Sequence, residues 1–283
     1  MVRHRFVPET SAGRAGLDAV LSNPQHALVA LDFDGTLAPI VADPASAYAH
    51  PDALPILRRL SPALRAIAII TGRPAQQAVD LANLQGNTPD NLTVLGAYGA
   101  ERWEGRTGSL EVPQPPAGIA EVRAELPNLL ARHEAPPGTV IEDKGGALAV
   151  HTRNATQPLE ALELLATPLQ HLAERHGLLT EPGRMVFELR PPGSDKGTAL
   201  LDIVREVDAS AVLFAGDDLG DRAAFSAVDR MRSRGAPGLK VYSDNNDTED
   251  TVQTLSDEAD LRVSGGPAGV VDLLRFLSEE LGI

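Results

Sequence analysis

The sequence predicts an α/β fold: a doubly wound, mostly parallel sheet with a smaller α+β domain inserted as a cap. Three observations predict it. Short apolar runs alternate with helical patterns, the order expected of a sheet built from βα units. The runs are nearly continuous in apolar residues, as in strands covered on both faces. A long stretch of different texture separates the third run from the fourth, bounded by the turn-rich linkers EVPQPPAG and RPPGSDKG.

Taken in order, the core runs are ALVALDF (27–33), AIAIIT (66–71), NLTVLG (91–96), AVLFAGD (211–217) and LKVYS (239–243). Gly, Thr, Asp or Ser lies at or just after the end of each, residues that favour leaving a strand or capping a helix. The insertion carries a helical pattern near 118–133, then strand candidates at TVIED (139–143) and GALAVHT (146–152). A second helix near 157–177 and a strand at RMVFEL (184–189) complete it. A discontinuous core domain, 1–102 with 191–283, therefore surrounds an inserted cap domain, 103–190.

The chain of 283 residues has room for two such domains. Its 39 acidic residues against 25 basic ones give a net charge of -14, which argues against nonspecific nucleic-acid binding. A small anionic substrate stays compatible, because a locally basic pocket can exist on an acidic protein. No cysteine occurs, so disulfides and thiolate metal sites are unavailable. No run is long enough to span a membrane, and the first residues contain no apolar signal segment. The expected compartment is the cytoplasm.

The chemistry gathers at the C-terminal ends of the core runs. The first supplies Asp32, Asp34 and Thr36, the second Thr71, Gly72 and Arg73. The segment re-entering the core supplies Asp195, Lys196 and Gly197, and the fourth run Gly216, Asp217, Asp218 and Asp221. Ligands of a doubly wound sheet bind outside the carboxyl ends of its strands, so these distant segments are expected to share one crevice. Carboxylates crowded there need a divalent cation to offset their charge. Oxygen ligands without Cys or His favour Mg²⁺. One aspartate can then attack phosphorus, with Lys196 balancing charge and Thr71 donating to the phosphoryl group.

DFDGT (32–36), Thr71 after a strand, Lys196 before a helix and GDDLGD (216–221) together resemble the haloacid dehalogenase-like superfamily of phosphohydrolases. Each motif alone is weak, and four in this order on strand ends are strong. The resemblance implies that Asp32 is the nucleophile and Asp34 the general acid, then base. It implies a metal held by Asp32, the Asp34 backbone carbonyl and Asp217, with Asp218 and Asp221 in support. Asp34 suits proton donation if negative charge crowds it. Arg73 is expected among the substrate-binding residues.

The insertion carries the polar side chains that should read a leaving group. On alternating strands Glu142 and Lys144 share a face, as do His151 and Arg153, and Glu188 and Arg190. Carboxylates with Lys and His suit a polyhydroxylated sugar. LGAYGAE (95–101), EDKG (142–145), HTR (151–153) and FELRP (187–191) are similar to trehalose-6-phosphate phosphatases. That similarity implies a glucose-binding set of Glu101, Glu142, Lys144, His151 and Glu188. Tyr98 stands where many members have His, and Gly220-Asp221-Arg222 where many have Thr-Asp-Glu. The expected reaction is Mg²⁺-dependent hydrolysis of trehalose 6-phosphate to trehalose and phosphate through an aspartyl-phosphate. The partner is then a small sugar phosphate, with no nucleic acid and no membrane. Another capped sugar phosphatase, for sucrose phosphate, mannosylglycerate phosphate or a hexose phosphate, is the alternative within hydrolases. A phosphomutase and a non-catalytic sugar-phosphate sensor complete the possibilities.

Overall fold

The computed structural model describes residues 6–283 apart from 42, 87, 115, 116, 184, 194 and 246–249; Arg184 of the RMVFEL run lies outside the described residues. The chain divides into two compact units, 1–111 with 195–283, and 112–194. The second unit begins at Val112 because the segment after the third run stays with the main sheet. Glu101–Glu104 pairs antiparallel with Leu92–Gly96, setting Trp103 opposite Val94.

In the first unit, strands β1 (Ala27–Leu31), β2 (Ala66–Ile70), β3 (Leu92–Gly96), β4 (Glu101–Glu104) and β5 (Leu110–Glu111) precede the insertion. Helices α1 (Ser11–Ser22), α2 (Ala53–Leu60) and α3 (Ala75–Leu81) connect them or flank them. Within the insertion are α4 (Ala117–Arg132), β6 (Val140–Asp143), β7 (Leu148–His151), α5 (Pro158–Arg175), β8 (Leu179–Gly183) and β9 (Val186–Arg190). The first unit resumes with α6 (Lys196–Glu206), β10 (Ala211–Gly216), α7 (Arg222–Arg232), β11 (Gly238–Asp244), α8 (Asp250–Glu258), β12 (Leu261–Ser264) and α9 (Pro267–Glu280).

The main sheet runs β12-β11-β10-β1-β2-β3-β4-β5, parallel from β12 to β3 and antiparallel for the last two pairs. This is the doubly wound, mostly parallel architecture that the sequence predicts. Ala27, Val29 and Leu31 pack into the core on one face of β1, and Leu28 and Ala30 into the core on the other. Both faces being covered, no residue of β1 can be polar, which is why the run reads as continuous. Topologically, the chain passes from β1 to β2 and β3 on one side and returns to β10 on the other. The carboxyl end of β1 is therefore the switch point, where a crevice opens.

In the second unit the sheet runs β6-β7-β9-β8, antiparallel throughout. Leu148, Val150 and Leu189 point to the side that α4 and α5 cover, with Ile141 and Phe187 packed against them. The alternate residues form the opposite face, where Glu142 is in register with Ala149, Ala149 with Glu188, and Glu188 with Glu181. Strands β4, β5, β8 and β12 were not expected: β8 contains Pro and Gly, which disfavour a strand interior, and the other three have four residues or fewer. Among the described residues no helix is long and apolar enough to cross a membrane.

Candidate active site

The loop after β1 carries the first two aspartates. Pairing continues one residue beyond the strand, Asp32 N donating to Ala215 O at 2.8 Å. Phe33 turns into the apolar core beside Leu37 and Ala38, so the alternation of the chain directs Asp32 and Asp34 away from it. Gly35 then adopts φ +74, and a Cβ there would stand 1.9 Å from Asp217 Oδ2. Only glycine meets both demands.

Lys196 opens α6, whose N-cap Asp195 accepts from Thr198 N at 2.8 Å. Its Nζ donates to Asp32 Oδ1 at 2.6 Å and to Asp221 Oδ1 at 2.7 Å, all three side chains being buried. The other oxygen of Asp221 accepts from the backbone N–H groups of Asp217 (2.9 Å) and Asp218 (3.3 Å). Asp221 thus acts as a buttress, fixing both the lysine and the turn that carries Asp217. Asp218 is exposed and caps that turn, accepting from Gly220 N at 2.9 Å.

Ligand atoms of Asp32, Asp217 and Asp221 all lie within 4.8 Å of one another. Burial, then the charge of Asp221, pushes the Asp32 carboxyl well above the ordinary range. Asp217 is raised well above it by burial, then by Asp218 and Asp32. For Lys196 burial alone favours the neutral amine, but Asp221 and Asp32 outweigh it and hold the ammonium form. One ammonium among three buried carboxylates leaves a deficit of positive charge. An all-oxygen donor set with that deficit fits a hard divalent cation. The sequence placed Asp221 in a supporting position, and it proves to be one corner of this cluster.

Asp34 faces elsewhere. Both of its oxygens accept from Arg73, Nε at 2.7 Å and Nη2 at 2.6 Å. Arg73 is further held by Pro44 O at 2.9 Å and lies 5.7 Å from the centroid of the Phe33 ring. Crowding by negative charge falls on Asp32 and Asp217. Arg73, expected among the substrate-binding residues, clamps Asp34 here. Thr71 is buried, and its Oγ1 accepts from Arg73 N at 3.1 Å. Glu101 sits in the first unit, where Oε2 accepts from Ala75 N at 2.6 Å. It caps α3, whose preceding Pro74 has no side chain able to do so.

In the second unit, Lys144 Nζ donates to Glu188 Oε2 at 2.6 Å, and His151 Nε2 lies 2.8 Å from Glu142 Oε2. Arg190 Nη2 donates to Glu181 Oε2 at 2.8 Å. Three carboxylates and three basic groups therefore share the face of the small sheet opposite α4 and α5. Glu181 was missed because its strand was missed. In the first unit Asn245 was missed as well, although its Nδ2 donates to Asp217 Oδ2 at 3.1 Å. A polar loop after a strand signals nothing more specific.

The trehalose-phosphatase family pattern matches residues 30–259. The trehalose-6-phosphate phosphatase of Escherichia coli (strain K12) is 32% identical over 205 residues, covering 71% of this chain and 73% of the relative. The trehalose-phosphate phosphatase of Mycobacterium tuberculosis (strain H37Rv) is 31% identical over 232 residues; the match covers 77% of this chain and spans 55% of that relative's length. The C-terminal domain of the Candida albicans trehalose-6-phosphate phosphatase has the same fold, with a TM-score of 0.75 at 21% identity over 98% of this chain and 99% of that one. The chain belongs to the trehalose-phosphatase family.

Proposed function

We propose that this chain hydrolyses trehalose 6-phosphate to trehalose and phosphate through an aspartyl-phosphate on Asp32. The observation that carries the reading is the buried contact of Lys196 with Asp32 and Asp221, beside Asp217, gathered from the ends of separate segments. A buried carboxylate fixed by a lysine at a switch point is a nucleophile held in one orientation.

Asp32, Asp217 and the Asp34 carbonyl would hold Mg²⁺, which when bound would supply positive charge to offset the carboxylates and the phosphoryl oxygens. Asp32 attacks phosphorus while the bond from phosphorus to the sugar oxygen breaks. Asp34, protonated once its carboxyl has left Arg73, gives that proton to the departing sugar oxygen. Thr71 and Lys196 donate hydrogen bonds to the transferring phosphoryl group. Asp34 then takes a proton from the water that attacks the aspartyl-phosphate, which restores Asp32 and releases phosphate. Asp218 and Asp221 keep the Asp217 turn in place. Residues 112–194 act as the recognition domain, in which Glu142, Lys144, His151 and Glu188 bind sugar hydroxyls. Glu101 supports this indirectly, by capping α3 just after the Thr71–Arg73 turn.

Phosphate release from trehalose 6-phosphate, glucose 6-phosphate and sucrose phosphate, with and without EDTA, tests the proposal. Release should be strongest with trehalose 6-phosphate and abolished by EDTA. Asp32→Asn should lose roughly three orders of magnitude or more in rate. Equal turnover of all three substrates would remove the disaccharide assignment, and an isomeric sugar phosphate as product would mark a mutase.

A further inference from the structure

One polar side chain beside the carboxylate cluster has no role in the reaction as written. Asn245 follows β11, and its Nδ2 donates to Asp217 Oδ2 at 3.1 Å and to the Gly35 carbonyl at 3.0 Å. The Gly35 carbonyl already has another donor, Ser243 Oγ at 2.7 Å. What Asn245 adds is therefore the contact with Asp217.

The surroundings are shaped to admit this amide. Gly266, at φ +56, leaves room for it, since a Cβ there would stand 2.2 Å from Asn245 Oδ1. The N–H groups of Gly265 and Gly266 hold the Asp244 carbonyl at 3.0 and 2.9 Å, one residue before Asn245. Loops following β1, β10, β11 and β12 thus converge on one side chain.

We infer that Asn245 is a positioning residue that aims the Asp217 carboxylate at the cation. Asp217 faces the like charge of Asp32, and repulsion alone would turn it away. A basic partner could hold it, but an ion pair would cancel the charge that attracts the cation. A neutral amide fixes direction and leaves the charge intact. Outer-shell hydrogen bonds of this kind tune metal affinity without touching the metal.

The inference rests on the reading of the cluster as a divalent-cation site, and the test separates the two. Mn²⁺ binding to the full chain, followed by electron paramagnetic resonance without substrate, compares the natural protein with Asn245→Ala and Ser243→Ala. Asn245→Ala should weaken Mn²⁺ binding about 10–100-fold, with its melting temperature in EDTA unchanged. Ser243→Ala, which disturbs only the Gly35 carbonyl, should keep its affinity. If the Ala variant does not fold, Asn245→Ser, too short to reach Asp217, replaces it. Unchanged affinity in the Asn245 variant overturns the inference, and so does an equal loss in both variants, because Asn245 would then brace only the Gly35 loop. Failure of the natural protein to bind Mn²⁺ would instead remove the cation site itself.

Discussion

Lys196 Nζ meets Asp32 Oδ1 at 2.6 Å, joining residues 164 positions apart in the chain, with both side chains buried. The same ammonium meets Asp221 at 2.7 Å, so a single group orients the proposed nucleophile and anchors the turn of Asp217. Its removal should affect stability and chemistry together.

Lys196→Met leaves two buried carboxylates without their cation. Breaking such a pair costs about 3–5 kcal/mol, which corresponds to a fall in melting temperature of roughly 10 °C for a domain of this size. Activity should fall at least about 100-fold, as when a group that stabilises the transition state is deleted. Lys196→Arg retains the charge but not the compact reach of the ammonium. It should recover part of the stability and little of the activity. Calorimetry and phosphate release on the same preparations check both effects.

The bidentate contact between Arg73 and Asp34 leads to a second expectation. Lysine offers a point charge in place of the planar fork, so Arg73→Lys should lower kcat about tenfold, and Arg73→Ala more, with smaller changes in KM. If Arg73 acts through Asp34, adding Arg73→Ala to Asp34→Asn should cost little beyond the single change. A full multiplicative loss in the double variant would mean that Arg73 works on the substrate directly. Steady-state kinetics of the four proteins decides between these roles.

Residues whose environment dictates their type were legible in the sequence. Ala27–Leu31 is apolar at every position because both faces of β1 are covered, and Asp32 is conspicuous for ending such a run. That Glu142 shares a face with Lys144, and Glu188 with Arg190, followed from strand alternation within each segment, whereas the register that sets Glu142 and Glu188 across Ala149 did not. Edge elements were less legible. Glu101–Glu104 buries only alternate residues, and three charged residues around one Trp do not distinguish a sheet strand from a recognition loop. Contacts fixed by tertiary geometry could not be read at all. Nothing in TGR indicates that Arg73 clamps Asp34, and nothing in SDNND selects Asn245 as the amide that meets Asp217.

The carboxylate cluster also predicts opposite effects of one substitution with and without metal. In EDTA, Asp217→Asn removes a buried like charge next to Asp32, so the variant should melt at the same temperature as the natural protein or higher. Bound metal stabilises the folded state by mass action, about 2.7 kcal/mol when its concentration is a hundred times Kd. Saturating Mg²⁺ should therefore raise the melting temperature of the natural protein and leave that of Asp217→Asn nearly unmoved. Equal shifts in both would place the cation elsewhere.

On the face of the small sheet opposite α4 and α5, Lys144 and Glu188 test recognition separately from chemistry. Their 2.6 Å contact is mostly buried, so removing either partner breaks the same ion pair, and the two substitutions should be strongly non-additive. A sugar hydroxyl can donate to Glu188 and accept from Lys144 at once, which gives such a pair use in binding a polyol. Lys144→Ala and Glu188→Ala should each reduce kcat/KM for trehalose 6-phosphate by about 10–100-fold, the cost of lost polar contacts to substrate. Hydrolysis of p-nitrophenyl phosphate, which has no sugar to hold, should change little. A parallel loss on both substrates would show that the pair maintains the fold of its sheet, and the assignment of this face to the sugar would then fail.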